Sequence, residues 1–155
     1  MFQGTIVTIS ITKAGNEPMV AVDDIRAIAG KGLEGDRYSS RAGTFSDNPN
    51  TTGRQVTLIE SEAIEALERD HDYKLNYKDS RRNIVTRGVP LNHLVGREFV
   101  VGDVRMRGVR LCEPCNHAFP DDKARLALTH WGGLRADILN DGVIRVGDTV
   151  QPATR

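Results

Sequence analysis

The chain has 155 residues, 39% hydrophobic and 27% charged, so it is long enough to bury a core and too apolar to be disordered. Its 21 Lys and Arg balance 21 Asp and Glu, and a net charge of zero argues against broad nucleic-acid binding. No apolar run approaches the roughly 20 residues that span a bilayer, and the first 11 residues lack the pattern of a signal peptide. We therefore expect one cytoplasmic domain, residues 1–155, without a membrane partner.

The first half of the chain predicts three strands and one helix. Alternating or continuous apolar residues between turn residues predict strands at 5–12, 19–28 and 55–59. A helix is predicted at 61–69, with Ser61 as its N-cap and acidic residues in its first turn.

The second half repeats this alternation of short strands and turns. Residues 91–95 predict one helical turn closed by Gly96, and residues 121–130 predict a short helix. Two hairpins are predicted, one from strands 98–101 and 104–111 and the other from strands 143–146 and 149–151. Many short strands with few helices favour a closed or nearly closed β-barrel.

The only two cysteines form a C-x-x-C motif, Cys112 and Cys115, which His117 follows. A cysteine reacts as its thiolate, which neighbouring cations favour. Three functions fit the motif: Cys115 as a nucleophile or sulfur carrier, a dithiol that cycles with a disulfide, or a zinc site that includes His117 and His130. The structural alternative is that both cysteines are buried packing residues.

Arginines and glycines mark two further segments. Arg81, Arg82 and Asn83 precede an apolar strand, and the planar donors of arginine fit phosphate and other oxyanions. A solvated charged edge is the simpler interpretation of such a pair. Glycine-rich residues 30–37 predict a loop in which Asp36 and Arg37 can form a structural ion pair.

Taken in order, these segments resemble one family. The motifs are Gly32-Leu33-Glu34-Gly35-Asp36-Arg37, Arg54-Gln55-Val56-Thr57-Leu58-Ile59, Arg81-Arg82-Asn83-Ile84-Val85-Thr86, Leu94-Val95-Gly96 and Cys112-Glu113-Pro114-Cys115. Together they cover nearly the whole chain and resemble a MOSC domain, the C-terminal domain family of molybdenum cofactor sulfurases.

The resemblance implies a mainly β fold, a MOSC-type β-barrel with a few short helices in its connections. It also implies a pocket for the molybdenum cofactor (molybdopterin). Cys115 would carry sulfur as a persulfide or contact the molybdenum, and His117 would tune the thiol. The implied cofactor-binding residues are Arg37, Arg54, Arg81, Arg82, Asn83 and Arg135.

The chain also departs from the larger sulfurases. They carry a pyridoxal-phosphate-dependent desulfurase domain for which this chain has no room, so we expect it to bind no pyridoxal phosphate. A separate cysteine desulfurase would then donate sulfur, and a molybdoenzyme or redox partner would receive it. The implied function is sulfur transfer or molybdenum-dependent redox chemistry. The alternative is a non-enzymatic domain that binds a phosphate-bearing small molecule or an acidic partner segment and has structural cysteines.

Overall fold

A computed structural model describes residues 1–40, 50–115 and 121–154 of the protein. Its two α-helices are α1 (Ser61–His71) and α2 (Asp122–Ala127), and 3-10 turns lie at Tyr77–Ser80 and Leu91–Leu94. In chain order the strands are β1 (Gly4–Ile11), β2 (Val20–Val22), β3 (Asp24–Ile28), β4 (Gly32–Leu33), β5 (Val56–Glu60), β6 (Ile84–Arg87), β7 (Glu98–Val101), β8 (Val104–Leu111), β9 (Leu134–Ile138), β10 (Gly142–Arg145) and β11 (Thr149–Pro152).

Within the described ranges, seven strands close into a β-barrel, and the predicted fold class is confirmed. Around the ring the order is β1, β6, β5, β9, β8, β7 and β11, and β11 pairs with β1 to complete the circle. In this ring β5 and β6 run parallel, so both strands begin at the same end of the barrel. The short strand β2 extends the sheet beside β1, and β3, β4 and β10 form a separate small sheet.

The barrel interior is apolar because alternate residues of each strand point inward. Strand β9 shows this pattern: Leu134, Ala136 and Ile138 are buried in the core, whereas Arg135 and Asp137 are only partly buried. Since successive side chains of a strand point to opposite faces, Arg135 and Asp137 lie on the outer face of the barrel.

Most of the predicted elements form, with four differences. The predicted strand 19–28 is two strands in different sheets, β2 and β3. The predicted hairpin 143–151 is wrong, because β10 pairs with β3 whereas β11 pairs with β7 and β1. Helix α1 has Glu60 rather than Ser61 as its N-cap, and α2 ends at Ala127, three residues before the predicted end.

None of the helices in the described ranges is both long enough and apolar enough to cross a bilayer.

We predict that Gly133→Ala destabilises the fold by about 4 kcal/mol, because it adds both backbone strain and a steric clash. Gly133 has φ of +118°, and a Cβ at this position would overlap the carbonyl oxygen of Leu58 on β5. The matched control is Gly30→Ala, where φ is +73° but no atom lies within 4 Å of the added Cβ. Its expected cost is about 1–2 kcal/mol. Chemical denaturation measures both variants, and equal losses would contradict the packing argument.

Candidate functional site

The buried guanidinium of Arg82 holds the cysteine segment in place. Its Nε donates to the Gly132 carbonyl at 2.7 Å, and its Nη2 donates to the Cys112 carbonyl at 2.9 Å. A weaker bond reaches the Glu113 carbonyl at 3.4 Å. The backbone N–H of Cys112 in turn donates to the Gly133 carbonyl at 2.7 Å. Arg82 therefore joins the start of β6 to the segments that follow β8 and precede β9.

Asn83 is equally buried and connects three strands. Its Oδ1 accepts from the backbone N–H of Thr57 on β5 at 3.0 Å, and its Nδ2 donates to the Ser10 carbonyl on β1 at 3.1 Å. Its own N–H donates to the Thr57 hydroxyl at 3.0 Å. The side chain thus fixes the register of β6 between its neighbours and has its polar atoms inside the protein.

Arg37 forms a buried ion pair with Asp36, at 3.3 Å, as the sequence allows. Its Nη2 donates to the Arg81 carbonyl at 3.0 Å and to the Tyr38 hydroxyl at 3.5 Å, and the guanidinium lies 4.5 Å from the Tyr38 ring centroid. Burial raises the pKa of Asp36, although the charge of Arg37 and the N–H groups of Thr12, Tyr38 and Arg37 act in the opposite direction.

Arg81 has a left-handed backbone, with φ of 63°, and extends toward the segment between β1 and β2. Its guanidinium donates to the carbonyl oxygens of Glu17 and Gly15. Burial and the nearby charge of Arg37 lower the pKa of Arg81. The guanidinium groups of Arg37 and Arg81 are thus close enough to repel each other, and both donate hydrogen bonds to backbone carbonyls.

Three other arginines converge at Gly53. The Gly53 carbonyl accepts from Nη1 of Arg135 at 3.2 Å, and a Cβ at Gly53 would lie 2.5 Å from Nη1 of Arg110. Gly53, with φ of +75°, therefore lets a guanidinium pack directly against the backbone. Its N–H donates to the Asp137 carboxylate at 2.7 Å. The next residue, Arg54, has a buried Nε without a hydrogen-bond partner in the described part of the chain.

Two of these arginines lie directly opposite each other on neighbouring strands. Arg110 of β8 pairs with Arg135 of β9 in the register. Like charges at such positions destabilise a sheet unless something compensates them. Burial and the charges of Arg135 and Arg54 lower the pKa of Arg110, in that order. The three guanidinium groups therefore form a cationic cluster, which we call the arginine cluster (Arg54, Arg110 and Arg135).

The arginine cluster lies beside the two thiols. Burial acts to lower the pKa of Arg135, but the Cys112 and Tyr38 side chains outweigh it, with a smaller contribution from Cys115, and the net pKa is raised. Cys112 is buried, whereas Cys115 is partly exposed, and both are free thiols. Cys115 is therefore the accessible sulfur at the edge of the cluster.

An exposed carboxylate fixes the segment between the thiols. Glu113 accepts from the backbone N–H of His130 at 2.7 Å, and its other oxygen lies 2.8 Å from His130 Nδ1. Residues 1–40, 50–115 and 121–154 contain no group of three His, Cys, Asp or Glu side chains that could hold a metal ion. His117, predicted to tune the thiol or bind zinc, lies outside the described residues, so those roles stay predictions.

The structure divides the predicted cofactor-binding residues into two groups. Arg54 and Arg135 both belong to the arginine cluster, in which Arg135 lies near the thiols, while Arg37, Arg82 and Asn83 are buried and bonded to the protein itself. Arg81 lies near Arg37. Arg110, Gly53 and Tyr38 were not among the predicted cofactor-binding residues. The alternation of apolar and polar residues in β9 is a signal that could have placed Arg135 on the outer face. The pairing of Arg110 with Arg135 follows instead from a register shift in β8, which no local pattern indicates.

We predict that Arg82→Gln lowers the free energy of unfolding by about 2–4 kcal/mol and loosens the cysteine segment. The shorter side chain would leave the buried carbonyls of Gly132 and Cys112 without their donor, and each unsatisfied group costs about 1–3 kcal/mol. The control is Arg87→Gln at the end of β6, which removes an exposed ion pair with Glu65 and should cost less than about 1 kcal/mol. Denaturant titration and alkylation of Cys112 measure the effects. Unchanged protection of Cys112 in Arg82→Gln would contradict the assigned role.

Comparisons with known proteins agree with this architecture. A family model described as "MOSC domain" matches residues 42–151. The chain is similar to the crystal structure of the YuaD protein from Bacillus subtilis, with a TM-score of 0.79, 15% identity, and coverage of 99% of this chain and 100% of that one. It is also similar to YiiM from Geobacillus stearothermophilus, with a TM-score of 0.70 and 16% identity. That match covers 98% of this chain and 76% of the other. For YiiM from Escherichia coli the TM-score is 0.64 and the identity 15%, and the match covers 100% of this chain and 71% of that one. No curated protein matches the sequence.

Proposed function

The chain belongs to the MOSC domain family, and from this premise we propose that it binds the molybdenum cofactor and carries sulfur on Cys115 as a persulfide. At the level of the family, membership supports a module of molybdenum-cofactor-related sulfur or redox chemistry. The single observation that carries the finer proposal is the position of the partly exposed Cys115 near Arg135, which pairs with Arg110 across β8 and β9.

The residues of the arginine cluster fit the phosphate of such a cofactor. Arg110 and Arg135 face each other across two strands, and the buried Nε of Arg54 has no partner in the described ranges. An anion placed among them would receive charge-assisted hydrogen bonds and remove the repulsion between the guanidinium groups. Arginine is well suited to this role because its donors match a phosphate bidentately.

A second group of residues holds the side chains of this cluster in position and does not contact the ligand in this proposal. Tyr38 lies between Arg37 and Arg135: its hydroxyl accepts from Arg37 at 3.5 Å, and a side-chain hydrogen bond joins it to Arg135. Arg37 is itself held by Asp36 and by the Arg81 carbonyl. In this proposal, Arg37 and Tyr38 orient Arg135, while Arg82 positions the segment that carries Cys115.

Sulfur transfer by Cys115 needs a donor outside this chain. The Cys115 thiolate would attack the terminal sulfur of a cysteine desulfurase persulfide, form a new S–S bond, and release the donor cysteine as a thiolate. The sulfane sulfur then resides on Cys115 as a persulfide. When bound, the cofactor would supply a molybdenum centre, for which thiolate and persulfide are suitable soft ligands.

The experiment is persulfide transfer measured by peptide mass spectrometry. Wild-type protein is incubated with a cysteine desulfurase and cysteine, and the expected result is a gain of one sulfur atom on the Cys115 peptide. The gain should be absent in Cys115→Ser. Cys112→Ala is the matched control, since Cys112 is buried and we expect its loss to leave the sulfur on Cys115.

Two outcomes would contradict the sulfur-carrier proposal. One is a wild-type protein that gains no sulfur, and the other is a gain that persists in Cys115→Ser. If Cys115 also reacts slowly with alkylating reagents, the remaining function is the non-enzymatic one, in which the arginine cluster binds a phosphate-bearing molecule and both cysteines serve packing.

A further inference from the structure

A cleft lies on another part of the barrel and shares no residue with the arginine cluster. It has a volume of about 720 Å³, within the range of about 300–1,000 Å³ that is typical of small-molecule sites. Arg107 of β8 lines it and precedes Cys112 by five residues. At about 3.3 Å per strand residue, the cleft is roughly 16 Å from the cysteine segment.

The charged wall of this cleft has an excess of cations. Its charged side chains are Arg97, Arg105, Arg107 and Glu98. Glu98 bridges two of the arginines, with one oxygen 2.9 Å from Arg105 and the other 2.9 Å from Arg107. The hydrogen bonds from Arg107 and Arg105 lower the pKa of Glu98, so this carboxylate is ionised at neutral pH. Three arginines against one glutamate leave two net positive charges.

Arg97 is the cation with unused donors. Within the described ranges its guanidinium has no hydrogen bond and no ion pair, whereas its backbone is firmly held. Its carbonyl accepts from Gly108 at 2.9 Å, and the neighbouring Gly96 donates to the Gly108 carbonyl at 2.9 Å. A Cβ at Gly108 would overlap the Leu94 carbonyl oxygen, and Gly96 has φ of +77°. Two glycines thus let the turn that carries Arg97 pack directly against β8.

The rest of the lining of this cleft is mixed, with polar side chains from His93 and Thr154 and several apolar residues. Phe2, Pro90, Leu94 and Pro152 contribute to its lining, and Leu94 is part of the buried core. A site with apolar walls and a few convergent charged donors is typical of an organic ligand with one strongly polar end.

We propose that this cleft binds a phosphate monoester of an organic molecule. A phosphate monoester carries a charge of about −1.5 to −2 at pH 7, which matches the two unbalanced cations. Its oxygens can accept from Arg97 and from the guanidinium N–H groups of Arg107 that Glu98 does not use, and its organic part can contact Phe2 and Leu94. This site is independent of the function proposed for Cys115.

Isothermal titration calorimetry with phenyl phosphate tests the site. We expect saturable binding to the wild type, weaker binding of inorganic phosphate, and about tenfold weaker binding of phenyl phosphate to Arg97→Gln. Arg97 has no side-chain partner to lose, so this variant should unfold at the same temperature as the wild type. Arg107→Gln should also weaken binding, while Glu98 keeps its bond to Arg105.

Arg69→Gln is the matched control, because it removes an exposed cation of α1 that belongs neither to the cleft nor to the arginine cluster. Its affinity for phenyl phosphate should equal that of the wild type. Three results would overturn the proposal: no saturable binding to the wild type, unchanged affinity in Arg97→Gln, or an equal loss of affinity in Arg69→Gln and Arg97→Gln. Unchanged affinity in Arg97→Gln together with a loss in Arg110→Gln would assign the anion to the arginine cluster.

Discussion

The hydrogen bonds of the buried Arg82 guanidinium are the constraint on which the candidate site depends. A buried arginine is costly unless its donors are satisfied, and Arg82 satisfies them with carbonyl oxygens from two separate segments. One segment follows β8 and the other precedes β9. The Arg82 side chain therefore sets the distance between the cysteines and the turn before β9. Asn83 adds the connection to β1 and β5. The barrel therefore holds Cys112 and Glu113, which precede Cys115 by three and two residues.

The arginine cluster brings like charges together on neighbouring strands. Arg110 and Arg135 are cross-strand neighbours, Arg54 lies close to Arg110, and the charges of Arg135 and Arg54 add to burial in lowering the pKa of Arg110. Asp137 is the nearby acid, and its bond to the Gly53 N–H helps to place the backbone among the guanidinium groups. A protein that keeps such repulsion on its outer face gains from it when an anion binds there, because binding removes the repulsion.

Much of the fold follows from the sequence, because short strands with alternating residues and glycine turns leave few architectures other than a barrel. The strands at β1, β5, β7 and β8 follow from their own residues. The pairing of residues 143–151 does not follow from their own sequence, because the choice between a hairpin and separate pairing of β10 and β11 depends on distant strands. Only part of the candidate site could be predicted, because its assembly also depends on distant strands. A local motif identifies Cys115 and the pair Arg81-Arg82, but only the closed barrel brings Arg110 to Arg135, and only burial distinguishes the internally bonded Arg82 from the cluster residues.

The most direct test of this account is the pterin content of protein purified from a host that makes the molybdenum cofactor. Oxidation of the bound pterin to its fluorescent form allows it to be quantified per mole of protein. The account predicts pterin on the wild type, a strong reduction in Arg110→Gln, and wild-type content in Arg97→Gln, whose arginine lines the separate cleft at Glu98. Wild-type pterin content in Arg110→Gln, or no pterin on any of the three proteins, would contradict the assignment of the cofactor to the arginine cluster.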